Sequence, residues 1–163
     1  MKTPAKTMPF RPSFIMSEGM PSVEDLLGPL YTSEYREAFP DVAVPYKCFG
    51  YNVLVQLRQP VMKTAGGIIK PGDVEDTERY RTQAALVRAL GVAAYTHRDT
   101  GKPWVEGAWV KPGDFVRAPM FGGDRFDIET KVGGEKIKTT FVFIKDSDLI
   151  ALVTGNPLNI QNS

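Results

Sequence analysis

The chain is poor in the residues from which reactive centres are made. It has one cysteine, Cys48, and one histidine, His97. A single cysteine excludes an internal disulfide and a cysteine-based zinc site, and a lone histidine supplies no cluster for a transition metal. Cys48 reads as a reduced thiol packed as a small hydrophobe in a cytoplasmic protein. No Gly-x-Gly-x-x-Gly stands between a strand and a helix, and no Gly-Lys-Ser/Thr phosphate loop occurs, so the common nucleotide motifs are missing. Charge of one sign is also lacking. A formal net charge of +1 on 163 residues argues against a dedicated nucleic-acid or membrane-surface binder. No apolar run reaches the length of a bilayer span, and the basic start Met1-Lys2-Thr3-Pro4-Ala5-Lys6 leads into no hydrophobic core of a secretory signal.

Proline is abundant, and unevenly placed. Pro4, Pro9, Pro12, Pro21, Pro29, Pro40 and Pro45 all fall in the first 47 residues. Proline fixes φ and has no N–H, so this arm holds neither long helices nor internal strands. Within it Ser22 is placed to cap a short helix over Val23–Leu27, with Glu24 and Asp25 favourable in its first turn. Tyr31, Tyr35 and Phe39 recur every fourth residue and make an apolar stripe on a helical turn or two. Together with Met8, Phe10, Phe14, Ile15 and Met16, they predict an arm whose residues 10–39 dock on a barrel, its own or a neighbour's.

From Tyr46 the pattern becomes β. Tyr51–Leu57 alternates, with Val53, Val55 and Leu57 on one face. Residues 83–94 are nearly continuous apolar sequence broken by Arg88; their periodicity also suits a helix, but Gly91 and the β-rich surroundings read them as a strand. Residues 115–119 are a short strand, and residues 126–132 and 135–139 a hairpin about Gly133-Gly134. Residues 140–144 read as a further strand and 149–153 as the last. Lys70-Pro71-Gly72-Asp73 recurs as Lys111-Pro112-Gly113-Asp114, a proline-glycine turn of type II used twice. The fold class expected is all-β, a small barrel at residues 48–156, with the proline-rich arm at 1–47 before it and a tail at 157–163 after it.

Between the first two strands lies Lys63-Thr64-Ala65-Gly66-Gly67-Ile68-Ile69-Lys70-Pro71-Gly72-Asp73. Adjacent glycines and a Pro-Gly pair suit neither a helix nor a central strand. An isoleucine pair on such a glycine-hinged loop fits a segment that orders when a partner supplies a groove, or one that tucks back onto its own domain. No catalytic constellation accompanies it. His97 sits in a polar loop, and the pairs Asp124/Asp127 and Asp146/Asp148 read as turn caps and solvated charge. The expectation is a protein without enzyme activity, cofactor or metal.

The order of these pieces resembles the GroES-type co-chaperonins. The matching stretches are the Lys-Thr-Ala-Gly-Gly-Ile-Ile loop, the strand ending in Leu90-Gly91, Val110-Lys111-Pro112-Gly113-Asp114-Phe115-Val116, and the closing run Phe143–Val153. The resemblance covers about residues 49 to 154. It implies a small β-barrel that assembles as a heptameric ring, caps a chaperonin ring, and binds the chaperonin's apical domains through a mobile loop at 63–73. It assigns Ile68, Ile69 and Lys70 to that contact and Gly66 and Gly67 to the hinge; weak loops on one ring then bind together by multivalency.

Lys70 departs from the family, which has a third apolar residue there. The arm has no counterpart in ordinary co-chaperonins, residues 95–109 take the place of the roof hairpin with Trp104 and Trp109, and the 133–134 hairpin is longer. Divergence of this kind is similar to bacteriophage co-chaperonins, which serve the folding of capsid proteins. The function implied is a lid that assists ATP-dependent folding in the host cytoplasm, with no nucleic acid or membrane as partner. The alternative is a structural protein of the virion, in the capsid or neck, with capsid proteins as partners. The GroES-like domain of alcohol dehydrogenases fits less well, because the zinc-ligand cysteines and a nucleotide domain are missing.

Overall fold

The computed structural model of the protein describes residues 20–59, 84–132 and 134–159. Two short helices come first, α1 (Val23–Leu27) and α2 (Ser33–Ala38), separated by a 3-10 turn at Gly28–Leu30. Ser22 caps α1 as its sequence suggests: its hydroxyl accepts from the Asp25 N–H, and the Asp25 carboxylate accepts from the Ser22 N–H, a reciprocal box. Six strands follow: β1 (Asn52–Leu57), β2 (Ala84–Leu90), β3 (Phe115–Arg117), β4 (Asp124–Val132), β5 (Glu135–Lys145) and β6 (Ala151–Leu152). They form one antiparallel sheet in the order β4-β5-β1-β2-β3-β6. The protein is thus mostly β with few helices.

Three expectations change. The two strands read at 135–139 and 140–144 are one, because β5 runs without a break for 11 residues. The last strand shrinks to Ala151–Leu152, since Asp146–Asp148 makes a 3-10 turn and the chain joins β3 only briefly. The sheet is also not closed: β4 and β6 stand at its two ends, and no pairing joins them among the described residues. A two-residue strand has too few ladder groups to carry closure.

The central strands β1 and β2 are buried on both faces. One face gathers Val53, Val55, Leu57, Ala85, Val87, Val116, Val142 and Ile144 under Tyr95, Val110 and Leu149. The other face presents Leu86 and Phe115 to Val23, Leu27, Tyr31, Tyr35 and Phe39 of the arm, and Leu54 and Phe141 to Val42, Val44 and Cys48. The i+4 stripe Tyr31-Tyr35-Phe39 is therefore core, seated on the protein's own sheet; Phe10 and Phe14 lie outside the described residues. Phe115 takes the rings of Tyr35 and Phe39 at centroid distances of 5.8 and 5.3 Å. Two-sided cover explains why Val53–Leu57 is buried throughout although the sequence alternates. Cys48 is a buried free thiol. Removal from water pushes its pKa up to about 11.

At the end of β2 the backbone doubles closely on itself. The Gly91 N–H donates to the Asn52 carbonyl and the Ala93 N–H to the Gly50 carbonyl. A Cβ at Gly91 would lie 2.2 Å from the Gly50 oxygen and 2.7 Å from that of Phe49, both backbone atoms. Neither can move without breaking the turn that starts β1. Gly91→Ala is expected to cost about 2 kcal/mol or more by overpacking, roughly 4–8 °C in Tm for a chain of this size. Gly155→Ala, where a Cβ meets nothing within 4 Å, is expected to leave Tm unchanged. Equal melting curves for the two variants would refute this account.

Candidate partner-binding surface

The connection between β1 and β2 leaves and returns at neighbouring points. The Arg58 N–H donates to the Ala84 carbonyl at 3.0 Å, so the two stems are bonded to each other. The next residue is held from two sides: the Gln59 N–H donates to Ala38 in α2 (2.8 Å), and its Nε2 to the Thr139 hydroxyl of β5 (3.2 Å). Arg58 Nη1 reaches the Pro157 carbonyl at 3.2 Å, tying in the C-terminal 3-10 turn Pro157–Asn159. Residues 60–83 thus spring from a braced pair of stems. Gly66, Gly67, Ile68, Ile69 and Lys70 lie within that connection and outside the described residues.

The β6 edge offers a second surface. Trp109, Val110 and Leu149–Leu152 line an open groove of about 310 Å³. Trp109, Ile150 and Leu152 are 41%, 55% and 48% exposed. An exposed strand edge beside apolar side chains is a place where another strand or chain pairs. Behind the groove, Tyr95, Trp104 and Trp109 make a ring cluster with centroids 5.1–5.6 Å apart. Its base is fixed by the buried Asp146 carboxylate, which accepts from the Tyr95 N–H at 2.8 Å. Burial, and then the nearby Asp146, push the Tyr95 phenol up to about 12. Trp109 Nε1 donates to Glu106, which holds that exposed carboxyl below its usual range.

The feature least legible in the sequence is Arg88. It is the extra residue of a β-bulge: Leu54 pairs with Ala89 and Val55 with Val87, leaving Arg88 between them. Its side chain lies on the arm side of the sheet and is only 2% exposed. Nη1 donates to Gln56 Oε1 at 2.8 Å and to the Val42 carbonyl at 3.2 Å, and Nη2 to the Pro21 carbonyl at 3.4 Å. Gln56, also buried, donates through Nε2 to the Pro40 carbonyl at 2.8 Å. Asp41 accepts from the Val23 N–H at 3.1 Å. Two polar side chains of the sheet thus satisfy three carbonyls of the proline-rich arm, which has few backbone partners of its own. Burial lowers the guanidinium's pKa, partly opposed by Asp41. The one sequence signal was a lone arginine inside an apolar run.

Of the aspartate pairs, Asp146 and Asp127 have structural partners. Asp146 anchors Tyr95 and its own 3-10 turn. Asp127 accepts from the Thr140 hydroxyl at 2.7 Å. Asp124, Asp148 and His97 are exposed. Among the described residues no group of three or more His, Cys, Asp and Glu is placed to hold a metal ion, and no helix is long and apolar enough to cross a membrane. Compared with protein-family models and with curated proteins, the chain matches none.

Proposed function

We propose that the protein is a co-chaperonin of the GroES type, serving a virus in the cytoplasm of its host, and that it acts as a lid without chemistry of its own. The observation that carries the reading is the pair of braced stems at Arg58–Gln59 and Ala84. In this reading residues 60–83, with the hinge Gly66-Gly67 and the anchors Ile68 and Ile69, reach from those stems to the partner. A loop that orders only in a partner's groove binds weakly by itself, and several copies on one ring bind strongly together. In this reading the sheet is the wall of a GroES-like barrel, neighbouring copies meet at the β6 edge and its groove, and the assembly is a heptamer that caps the chaperonin's apical domains. ATP hydrolysis belongs to the chaperonin, and capsid protein is the client.

The test is capture by a purified bacterial chaperonin ring with ATP present. The intact chain is expected to be retained, and Ile68→Asp to be lost from the ring with its Tm unchanged. Equal retention of both, or no retention of the intact chain, overturns the proposal. A second reading, a structural protein of the virion, is favoured by the opposite end of the sheet. There Phe49, Val92 and Phe121 are 70%, 96% and 82% exposed, an apolar display that binding through the loop does not use. Stoichiometric copies in purified particles decide for it.

A further inference from the structure

The β4–β5 hairpin is longer than the sheet that carries it. β5 pairs with β1 from Lys145 opposite Asn52 only to Phe141 opposite Gln56, whereas its pairing with β4 continues to Glu135 opposite Val132. Beyond the Gln59–Thr139 bond the hairpin runs on as a two-stranded ribbon for about four more residue pairs, roughly 13 Å at the usual strand rise. It projects from the end of the sheet at which Leu57, Arg58 and Ala84 hold the stems of the 60–83 connection. The ribbon tip thus lies beyond the same end of the sheet as the two stems.

The tip has an unusual cross-strand pair. Lys131 stands directly opposite Lys136, so both side chains share one face, and both are exposed. Like charges opposite each other destabilise a ribbon. Neither lysine makes an ion pair among the described residues, and the neighbouring cross-strand pair on that face is Glu129 opposite Lys138. Two cations held side by side at the far end of a projecting ribbon suit an anionic surface on a partner. Glu129 and Glu135 near the tip and the chain's net charge of +1 disfavour a polyphosphate backbone, which rewards unbroken positive charge. A protein surface with clustered carboxylates fits.

The geometry points to the Lys131–Lys136 tip as a second, electrostatic contact with an acidic patch on the ring that the 60–83 connection engages. This rests on the co-chaperonin reading. Such a contact sets approach and orientation, and its strength falls with salt.

Lys131→Glu tests it, because the change turns the like-charge pair into an opposite-charge one. If the pair were only structural, the ribbon would gain and nothing else would move. The expected result is a Tm equal to or above that of the intact chain, with affinity for the chaperonin ring in ATP reduced about fivefold or more at low ionic strength. The difference is expected to close as salt approaches roughly 1 M, where the Debye length is about 3 Å, and Lys131→Arg is expected to behave as the intact chain. If the intact chain is captured, Ile68→Asp is lost and Lys131→Glu binds like the intact chain, the tip contact is refuted while the co-chaperonin reading stands. No capture of the intact chain removes both. Salt-sensitive binding to duplex DNA that Lys131→Glu abolishes would reassign the tip to nucleic acid and overturn the proposal.

Discussion

A chain that starts at residue 49 is expected to lose cooperative folding. Such a truncation removes Val23, Leu27, Tyr31, Tyr35, Phe39, Val42, Val44 and Cys48, all buried against the sheet. It bares Leu54, Leu86, Phe115 and Phe141, which the arm now covers. Burial of each large apolar side chain is worth roughly 1.5–3 kcal/mol. The gross loss is therefore on the order of 10 kcal/mol or more, an upper estimate because the unfolded chain is itself partly compact. A domain of this kind is stable by only about 5–15 kcal/mol in total. Entropy regained by freeing the arm offsets part of the loss, but not the newly exposed apolar face of the sheet. In calorimetry the truncated chain should show no sharp transition and should bind a hydrophobic dye at room temperature. A cooperative melt within a few degrees of the full chain would show that the arm is only a tether.

Arg88→Ala should be among the most damaging single substitutions, at about 3–5 kcal/mol. It leaves the Gln56 side-chain oxygen and the Val42 and Pro21 carbonyls without their donor. Each buried unsatisfied acceptor costs about 1–3 kcal/mol, and a cavity opens where the long side chain packed beside Phe141. Arg88→Met separates the contributions. It fills most of the space but leaves the same three acceptors without a donor, so its cost is expected to fall below that of alanine by the cavity contribution alone. Because Gln56 and Arg88 bond each other at 2.8 Å, a double-mutant cycle with Gln56→Leu should show coupling above about 1 kcal/mol. Urea unfolding measures all of these. An alanine cost below about 1 kcal/mol would mean that water replaces the guanidinium and that the bulge does not hold the arm.

These two residue sets mark the division between what was legible and what was not. Local chemistry could be read directly. Ser22 and Asp25 form their box because both partners lie within one turn. Lys111-Pro112-Gly113-Asp114 makes its turn with Gly113 at φ 99° and the Asp114 N–H on the Lys111 carbonyl. Proline density kept the elements short in the described part of the arm, residues 20–47, and alternation placed Val53, Val55 and Leu57 together. The loop at 63–73 is a motif of the sequence alone, and its five named residues lie outside the described part of the structure.

Long-range pairing decided the rest. The sequence between 135 and 145 has no break, but only the pairing partners show that the β1–β5 ladder ends at Gln56 while the β4–β5 ladder continues, which turns two expected strands into one projecting ribbon. The strand at the end of the chain is short because β3 offers it only Val116 and Arg117. Arg88 became an anchor because a one-residue bulge turned it toward arm carbonyls 46 and 67 residues away in the chain. Period and propensity are properties of neighbouring residues, so the sequence by itself determined the turns, the caps, the strand faces and the character of the arm. Which surface covers a face, where a ladder ends and what a buried guanidinium binds depend on groups far apart in the chain, and only the packed structure brings those together.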